Sequence, residues 1–285
     1  MIDTNFIVPI LKKEKRHTFK TSFGHIFCPV CERRTKLYKL SDSRRKCKRC
    51  ESKFTVRKKT DEKKVKRIAG CIVGFCLDFS ARKTAMLFGY RYIDVWKNYM
   101  DLRIVLAAES AGMDKLQGIV EADESYFGGV NRKRNKKYRK HYISRGRGTD
   151  KSPVFGIRER NGNVQINLLS DLSEQTIERM ITDKVKAGST MMTDEFASYK
   201  GLVYKGYIHR FVKHKKGQYG KGKVHVNGME NFWNWAKEQM FKFHGVFRRN
   251  LFYYLKEMEW KFNHRHLSSK DRAITLAKLF NEKNN

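Results

Sequence analysis

Four cysteines near the start of the chain fall into two CxxC pairs within "FCPVCERRTKLYKLSDSRRKCKRCESKF". Cys28 and Cys31 form the first pair and Cys47 and Cys50 the second, with fifteen residues between them. Two thiolate knuckles on a pair of hairpins present four sulfurs tetrahedrally, which suits one zinc ion. Sulfur then fills every position around the ion and leaves none for a reacting water, so the expected Zn2+ is structural. The expectation is a zinc ribbon over residues 1–60 with basic flanks. Arg33, Arg34, Arg44, Arg45, Lys46, Lys48 and Arg49 stud it, a density that points to phosphate contact.

The basic excess runs through the whole chain: 62 Lys and Arg against 29 Asp and Glu, a net charge of +33 over 285 residues. Such a surplus repels itself unless the working partner is a polyanion whose counterions are released on binding. A content of 40% hydrophobic and 13% aromatic residues is enough for a buried core, which excludes a disordered polycation. The length accommodates two or three domains of roughly 100–200 residues. The longest apolar run, residues 68–77, is broken by glycines and short of the roughly 20 residues that span a bilayer. "MIDTNFIVPILKKEKRHTFK" lacks the apolar core of a secretory signal. The expected setting is intracellular and DNA-associated, in a bacterial cytoplasm or a eukaryotic nucleus, with the cysteines reduced unless they hold metal.

Residues 61–112 read as helices. "EKKVKRIAGCIVGFCLDF" sets Val65, Ile68, Ala69, Ile72 and Cys76 on one stripe. Ser80 is placed to cap a short second helix that Gly89 ends. In a third helix Tyr92, Val95, Trp96, Tyr99, Leu102 and Leu106 are expected to face inward. Two short helices about a glycine turn resemble a helix-turn-helix, which lays its later helix in a major groove; the plain alternative is a packing module.

Residues 113–285 alternate strands and helices. "GIVEADESYFGG" is a first strand, and "SPVFGIRERNGNVQINLLSD" is a hairpin turning at "RNGN". A helix follows, with Ile177, Met180, Ile181 and Val185 on one face. "TMMTDEFASYKGL" and "YIHRFVKH" supply two further strands, and "GMENFWNWAKEQMFKF" and "LFYYLKEMEWKFNHR" closing helices. This order predicts an α/β ribonuclease H-like catalytic domain with a mixed five-stranded sheet, preceded by the zinc ribbon and the helix-turn-helix-like domain.

Three acids stand out on that frame. Asp123 lies within the first strand, Asp194 ends the fourth, and Glu230 lies near the start of a helix. Strands one and four are central neighbours in such a sheet, so the acids can converge. Carboxylates are the hard, anionic ligands that Mg2+ prefers, and two such ions clamp the attacking and leaving oxygens in phosphodiester cleavage. Lys237, two helical turns after Glu230 and on the same face, can hold a phosphate beside them.

With "EADESYFGG", "RGRGTDKSPVFGIRERNG", "MTDEFASYKGL", "GYIHRFVKH" and "VHVNGMENFWNWAK" in order, the chain resembles the DDE transposases of Merlin-type elements and their ISXO2-like bacterial insertion-sequence relatives. The resemblance covers about residues 28–265. It implies two Mg2+ (or Mn2+) ions per site, and cutting and joining at terminal inverted repeats. Carried over, the metal-binding triad is Asp123, Asp194 and Glu230, with Lys237 behind it. Some relatives use Asn as the third element, which makes Asn227 and His225 alternates. Among the adjacent acids Glu121, Glu124 and Glu195, strand alternation puts Glu121 on the face of Asp123 and makes it the strongest competitor.

The loop after the first strand, "NRKRNKKYRKHYISRGR", carries Arg132, Lys133, Arg134, Lys136, Lys137, Arg139, Lys140, Arg145 and Arg147, a basic clasp for the DNA backbone. The function expected is cut-and-paste transposition on double-stranded DNA, both terminal inverted repeats and target, by a homodimer or larger assembly. A metal-dependent nuclease without strand transfer and a catalytically silent DNA-binding protein are the alternatives.

Overall fold

The structure, a computed structural model, describes residues 2–11, 28, 30–31, 33, 35–41, 44–55, 62–128, 151–194, 203, 205–212 and 225–283. The basic loop with Arg132, Lys133, Arg134, Lys136, Lys137, Arg139, Lys140, Arg145 and Arg147 lies outside the described residues, as do Glu195 and the basic stretch at 213–223. The chain divides into two compact units: Met1–Val95 with Ser269–Asn285, and Trp96–Ser268.

In the first unit, β1 (Leu37–Lys39), β2 (Arg44–Cys47) and β3 (Lys53–Thr55) form an antiparallel sheet in that order. Helices α1 (Val8–Leu11), α2 (Glu62–Cys76) and α3 (Ala81–Phe88) follow the chain. The Ser80 side chain accepts the Lys83 backbone N–H at 3.1 Å, and Gly89 closes α3 at φ 66°, a left-handed turn that costs glycine little. Val65, Ala69, Ile72 and Cys76 are buried along α2. The C-terminal helix α8 (Ser269–Lys283), expected with the catalytic domain, packs on α1 and α2 through a face that includes Ala273, Leu276 and Ala277. Hydrophobic periodicity shows that a helix has an apolar face but not which partner covers it.

Helix α4 (Tyr92–Ala111) spans the division between units. Val95, Tyr99, Leu102 and Leu106 are buried as expected, whereas Tyr92, at the first turn, is exposed. No helix among the described residues is long and apolar enough to cross a membrane.

The second unit holds a five-stranded mixed sheet of β4 (Ile119–Phe127), β5 (Ser152–Glu159), β6 (Val164–Leu168), β7 (Thr190–Asp194) and β8 (Ile208–Val212). Its spatial order is β6-β5-β4-β7-β8; β4, β5 and β6 pair antiparallel, and β7 and β8 run parallel to β4. This is the strand order and direction of the ribonuclease H-like fold. Helix α5 (Glu174–Lys184) covers one face with Ile177 and Ile181 against Val120, Ala122, Phe155 and Ile157. Helices α6 (Asn227–Phe241) and α7 (Leu251–Asn263) cover the other, where Phe127, Val154, Val164 and Ile166 meet Met229, Phe232, Trp233, Leu255 and Met258. Alternation along β4 therefore turns Val120 and Ala122 toward α5 and the odd-numbered residues toward α6.

The sheet would end in an open edge at β6, and side chains of α7 close it. Asn263 accepts the Val164 N–H and donates to its carbonyl, Glu259 accepts the Ile166 N–H at 2.7 Å, and Lys256 donates to the Ile166 carbonyl. An edge strand whose backbone groups are occupied in this way offers no template for another chain. On the same helix Glu257 is clamped at 2.7 Å by both Arg103 and Lys261. Burial alone would raise the Glu257 carboxyl, but those two cations hold it below the usual range.

Candidate active site

The β4–β7 pairing brings two acids level. Ile119 pairs with Thr190 and Glu121 with Met192, and the same offset of 71 residues relates Asp123 to Asp194. Paired register stops at Glu121 and Met192, and β4 runs on beyond it along β5. A crevice at the carboxyl ends of parallel strands is where ligands bind in open α/β sheets. Carboxylate oxygens of Asp123, Glu124 and Asp194 lie there within 4.8 Å of one another. Glu124 is an addition to the expected set: its main chain follows Asp123 with an N–H to Asp123 Oδ1 of 2.9 Å.

Glu230, on helix α6, is not among the acids that lie within that distance; it and Lys237 act on Asp123 through their charge. Burial pushes the Asp123 carboxyl up to about 6, with the charges of Asp194 and Glu230 adding to the rise and Lys237 opposing it. Lys237 is in turn lowered by desolvation, against the pull of Asp123. Asp123, Asp194, Glu230 and Lys237 thus share one electrostatic neighbourhood. Gathered carboxylates that penalise one another's charge form a donor set suited to a hard cation, since oxygen ligands of this kind are what Mg2+ and Mn2+ take.

Two features hold α6 in place, and sequence reasoning had assigned neither. Gly156 is the cross-strand partner of Asp123. A Cβ there would meet Trp233 Cζ2 at 2.5 Å and the end of the Met229 side chain still closer, so its bareness lets α6 lie directly on β5. A glycine inside the alternating run "SPVFGIRE" was the available signal. The second is Glu121, 2% exposed, which faces α6 as alternation predicts. Its Oε2 accepts the Met229 backbone N–H at 3.0 Å and its Oε1 takes Arg160 Nε at 3.2 Å. Arg158 donates to the Gly228 carbonyl at 2.7 Å and Arg160 to that of His225 at 3.1 Å. Val226, at the helix cap, supplies no side-chain hydrogen bond, so the strand acid serves as the cap.

His225 and Asn227, the alternates for the third acid, line a cavity of about 340 Å³ around Glu121 with Arg158, Arg160 and Asn231. His225 Nδ1 lies 3.6 Å from Glu121 Oε1. Trp233 is buried and Trp235 packs beside it against the same core.

In the first unit the four cysteine sulfurs also lie within 4.8 Å of one another. Cys28 and Cys50 are 3.5 Å apart and Cys31 and Cys47 3.9 Å. A tetrahedral ion with metal–sulfur bonds of about 2.3 Å sets sulfurs about 3.8 Å apart, so the cluster fits one. Burial alone would raise the Cys47 thiol, but N–H groups of Cys50 and Arg49 aimed at its sulfur bring it down to about 6. Burial pushes the neighbouring Cys28 thiol the other way, up to about 11, so the fit to a metal rests on the geometry of the four sulfurs.

A ribonuclease H-like sheet with acids gathered where its central parallel strands end defines the class of this protein. The chain belongs to the ISXO2-like transposase family, whose defining domain matches residues 115–263. An uncharacterized transposase-like protein of Haemophilus influenzae is 33% identical over 102 residues, which span 36% of this chain and 82% of that protein. An uncharacterized protein in transposable element ISH50 of Halobacterium salinarum is 31% identical over 169 residues, 56% of this chain and 58% of that one. Among solved structures, the Mos1 transposase paired-end complex with left transposon end is 13% identical, with a TM-score of 0.28 over 81% of this chain and 83% of that chain. The Mos1 strand transfer complex scores 0.28 at 14% identity, over 79% and 82%. The fold assignment rests on strand order and direction.

Proposed function

We propose that this transposase works by cut and paste: it binds terminal inverted repeats, hydrolyses the phosphodiester at each element end, and joins the freed 3′-hydroxyl to target DNA. The observation that carries the reading is the meeting of Asp123 and Asp194 at the ends of adjacent parallel strands, with Glu230 and Lys237 acting on Asp123 from α6.

In this reading Asp123, Asp194 and Glu230 hold two Mg2+ or Mn2+ ions. Such ions, when bound, polarise the scissile phosphate and ease loss of a proton from water or a 3′-hydroxyl. Lys237 draws a phosphate oxygen toward the acids. Glu121, Arg158 and Arg160 keep the first turn of α6 fixed, and with it Glu230. Joining two ends at once takes two active sites, so a homodimer or larger assembly on DNA is expected. Cys28, Cys31, Cys47 and Cys50 hold one structural Zn2+ in a ribbon domain over residues 1–60. The helices of residues 61–112 form a DNA-reading module ahead of a catalytic domain that starts at 113. The basic loop at 132–147 neutralises the DNA backbone.

Labelled element ends incubated with protein, a target plasmid and Mg2+ test this. Joined products support transposition. Cuts without joining favour a nuclease, and retarded but uncut DNA favours a silent binder.

A further inference from the structure

Helix α6 does not stop at the acids. Lys237 and Phe241 follow Glu230 by 7 and 11 residues, so both lie within about 20° of it around the helix. Glu230, Lys237 and Phe241 form one exposed stripe, and Phe241 stands about 6 Å further along the axis than Lys237. Phe241 is 68% exposed and Phe247, in the connector to α7, is 74% exposed.

The connector that displays them is built, not loose. Phe243 turns inward to meet Tyr254 edge-to-face with ring centroids 4.8 Å apart, and Arg103 lies over the Tyr254 ring at 3.7 Å. His244 (φ 52°) and Gly245 (φ 118°) make the turn, with His244 N–H on the Phe241 carbonyl at 3.0 Å. Asn250 N–H closes on the Phe247 carbonyl at 2.8 Å, and the Arg249 guanidinium lies 5.4 Å from the Phe247 ring. Residues 240–250, "MFKFHGVFRRN", contain no acid, and Lys242, Arg248 and Arg249 flank the two rings. Beside Phe241 lie the His244 ring, with centroids 6.2 Å apart, and Glu238 three residues back on α6, while the connector itself adds only cations. Exposed apolar rings among cations are a surface that takes nucleic-acid bases, the ring faces stacking while the cations meet phosphate.

We infer that Phe241 and Phe247 form a stacking platform for a base unstacked from the DNA duplex within about two to five base pairs of the scissile phosphate. Phe241 stands about 6 Å along the axis from Lys237 and about 16 Å from Glu230, and a duplex rises roughly 3.4 Å per pair. The inference rests on the DNA-cutting function proposed above and specifies how its substrate is held. Stacking on a fixed platform offsets the cost of unstacking a base and bends the backbone toward the acids.

The test scans 2-aminopurine through the terminal positions of element-end duplexes bound by the full chain. The expected result is a several-fold fluorescence rise at one or two adjacent positions, for the native protein and equally for Asp123→Asn. Phe241→Ala with Phe247→Ala loses the rise and binds about 5- to 20-fold more weakly, with an unchanged salt slope because phosphate contacts remain. Arg248→Ala with Arg249→Ala flattens that slope. Both rings are exposed, so melting temperatures stay level and folding does not cloud the outcome. Ends that are bound and cut with no rise anywhere overturn the platform and leave the transposase reading standing. A change in oligomeric state of the double-Phe variant without DNA, with the rise intact, makes the surface an interface between copies and overturns it as well. Failure of the native protein to bind or cut ends removes the functional reading and the platform with it.

Discussion

The carboxylate of Glu121 caps the first turn of α6 through the Met229 backbone N–H, one residue ahead of Glu230. An acid two residues from Asp123 on the same face therefore acts as a fastening of the helix that carries the third acid. Glu121→Ala should leave Arg160 and the helix end without their buried partner, at a cost of about 3–5 kcal/mol in stability. Glu121→Gln keeps an acceptor for the Met229 N–H and should retain much of the fold. Its expected effect is a higher Mg2+ requirement for cutting with DNA binding unchanged, read by metal titration of the cleavage rate.

Gly156→Ala should act at the same place from the strand side. The added methyl runs into Trp233 and Met229, so α6 must lift or the strand must shift, a cost of about 1–3 kcal/mol. Thermal unfolding gives the stability change, and cutting should fall further than stability accounts for, because Glu230 and Lys237 move with the helix.

Asp123→Asn should stabilise the metal-free protein. Asp123 is raised to about 6 in the fold from an ordinary value of 3.8. A raised carboxyl is a stability cost once ionised: absent below about 4, it grows as pH rises and is complete above about 6. At pH 7.5 without metal the amide variant should unfold about 1–3 kcal/mol later than the native protein, and the gap should close at pH 4. Added Mg2+ should stabilise the native protein and not the variant.

The cysteine cluster predicts one Zn2+ per chain by metal analysis. Cys47→Ser or a strong chelator should release it and weaken DNA binding, while the Mg2+ dependence of any residual cutting stays where it was.

Much of the sheet around the candidate site could be read from the chain alone, and the reasons are physical. Strand alternation and length marked β4 and the β5–β6 hairpin, and the ribonuclease H-like order of elements set Asp123 and Asp194 on neighbouring strands. The seven-position step from Glu230 to Lys237 fixed their shared helix face. The cap by Glu121 was out of reach because alternation tells which face a side chain takes but not which helix arrives there. Glu124 joined the acids because it lies where β4 runs past its pairing with β7, and strand pattern does not show where pairing stops. Lys256, Glu257, Glu259 and Lys261 of α7 are buried because β6 and Arg103 supply partners from distant parts of the chain, which the pattern of α7 alone does not show.

The most direct measurement compares cutting and joining of element ends by Asp123→Ala and Asp194→Ala with that of the native protein in Mg2+. The account predicts that each change lowers cutting by roughly a thousandfold or more, as expected when a group supporting the reaction's developing charge is lost, with binding to the same ends within about twofold. Cutting and joining at near-native rates by either variant would contradict it.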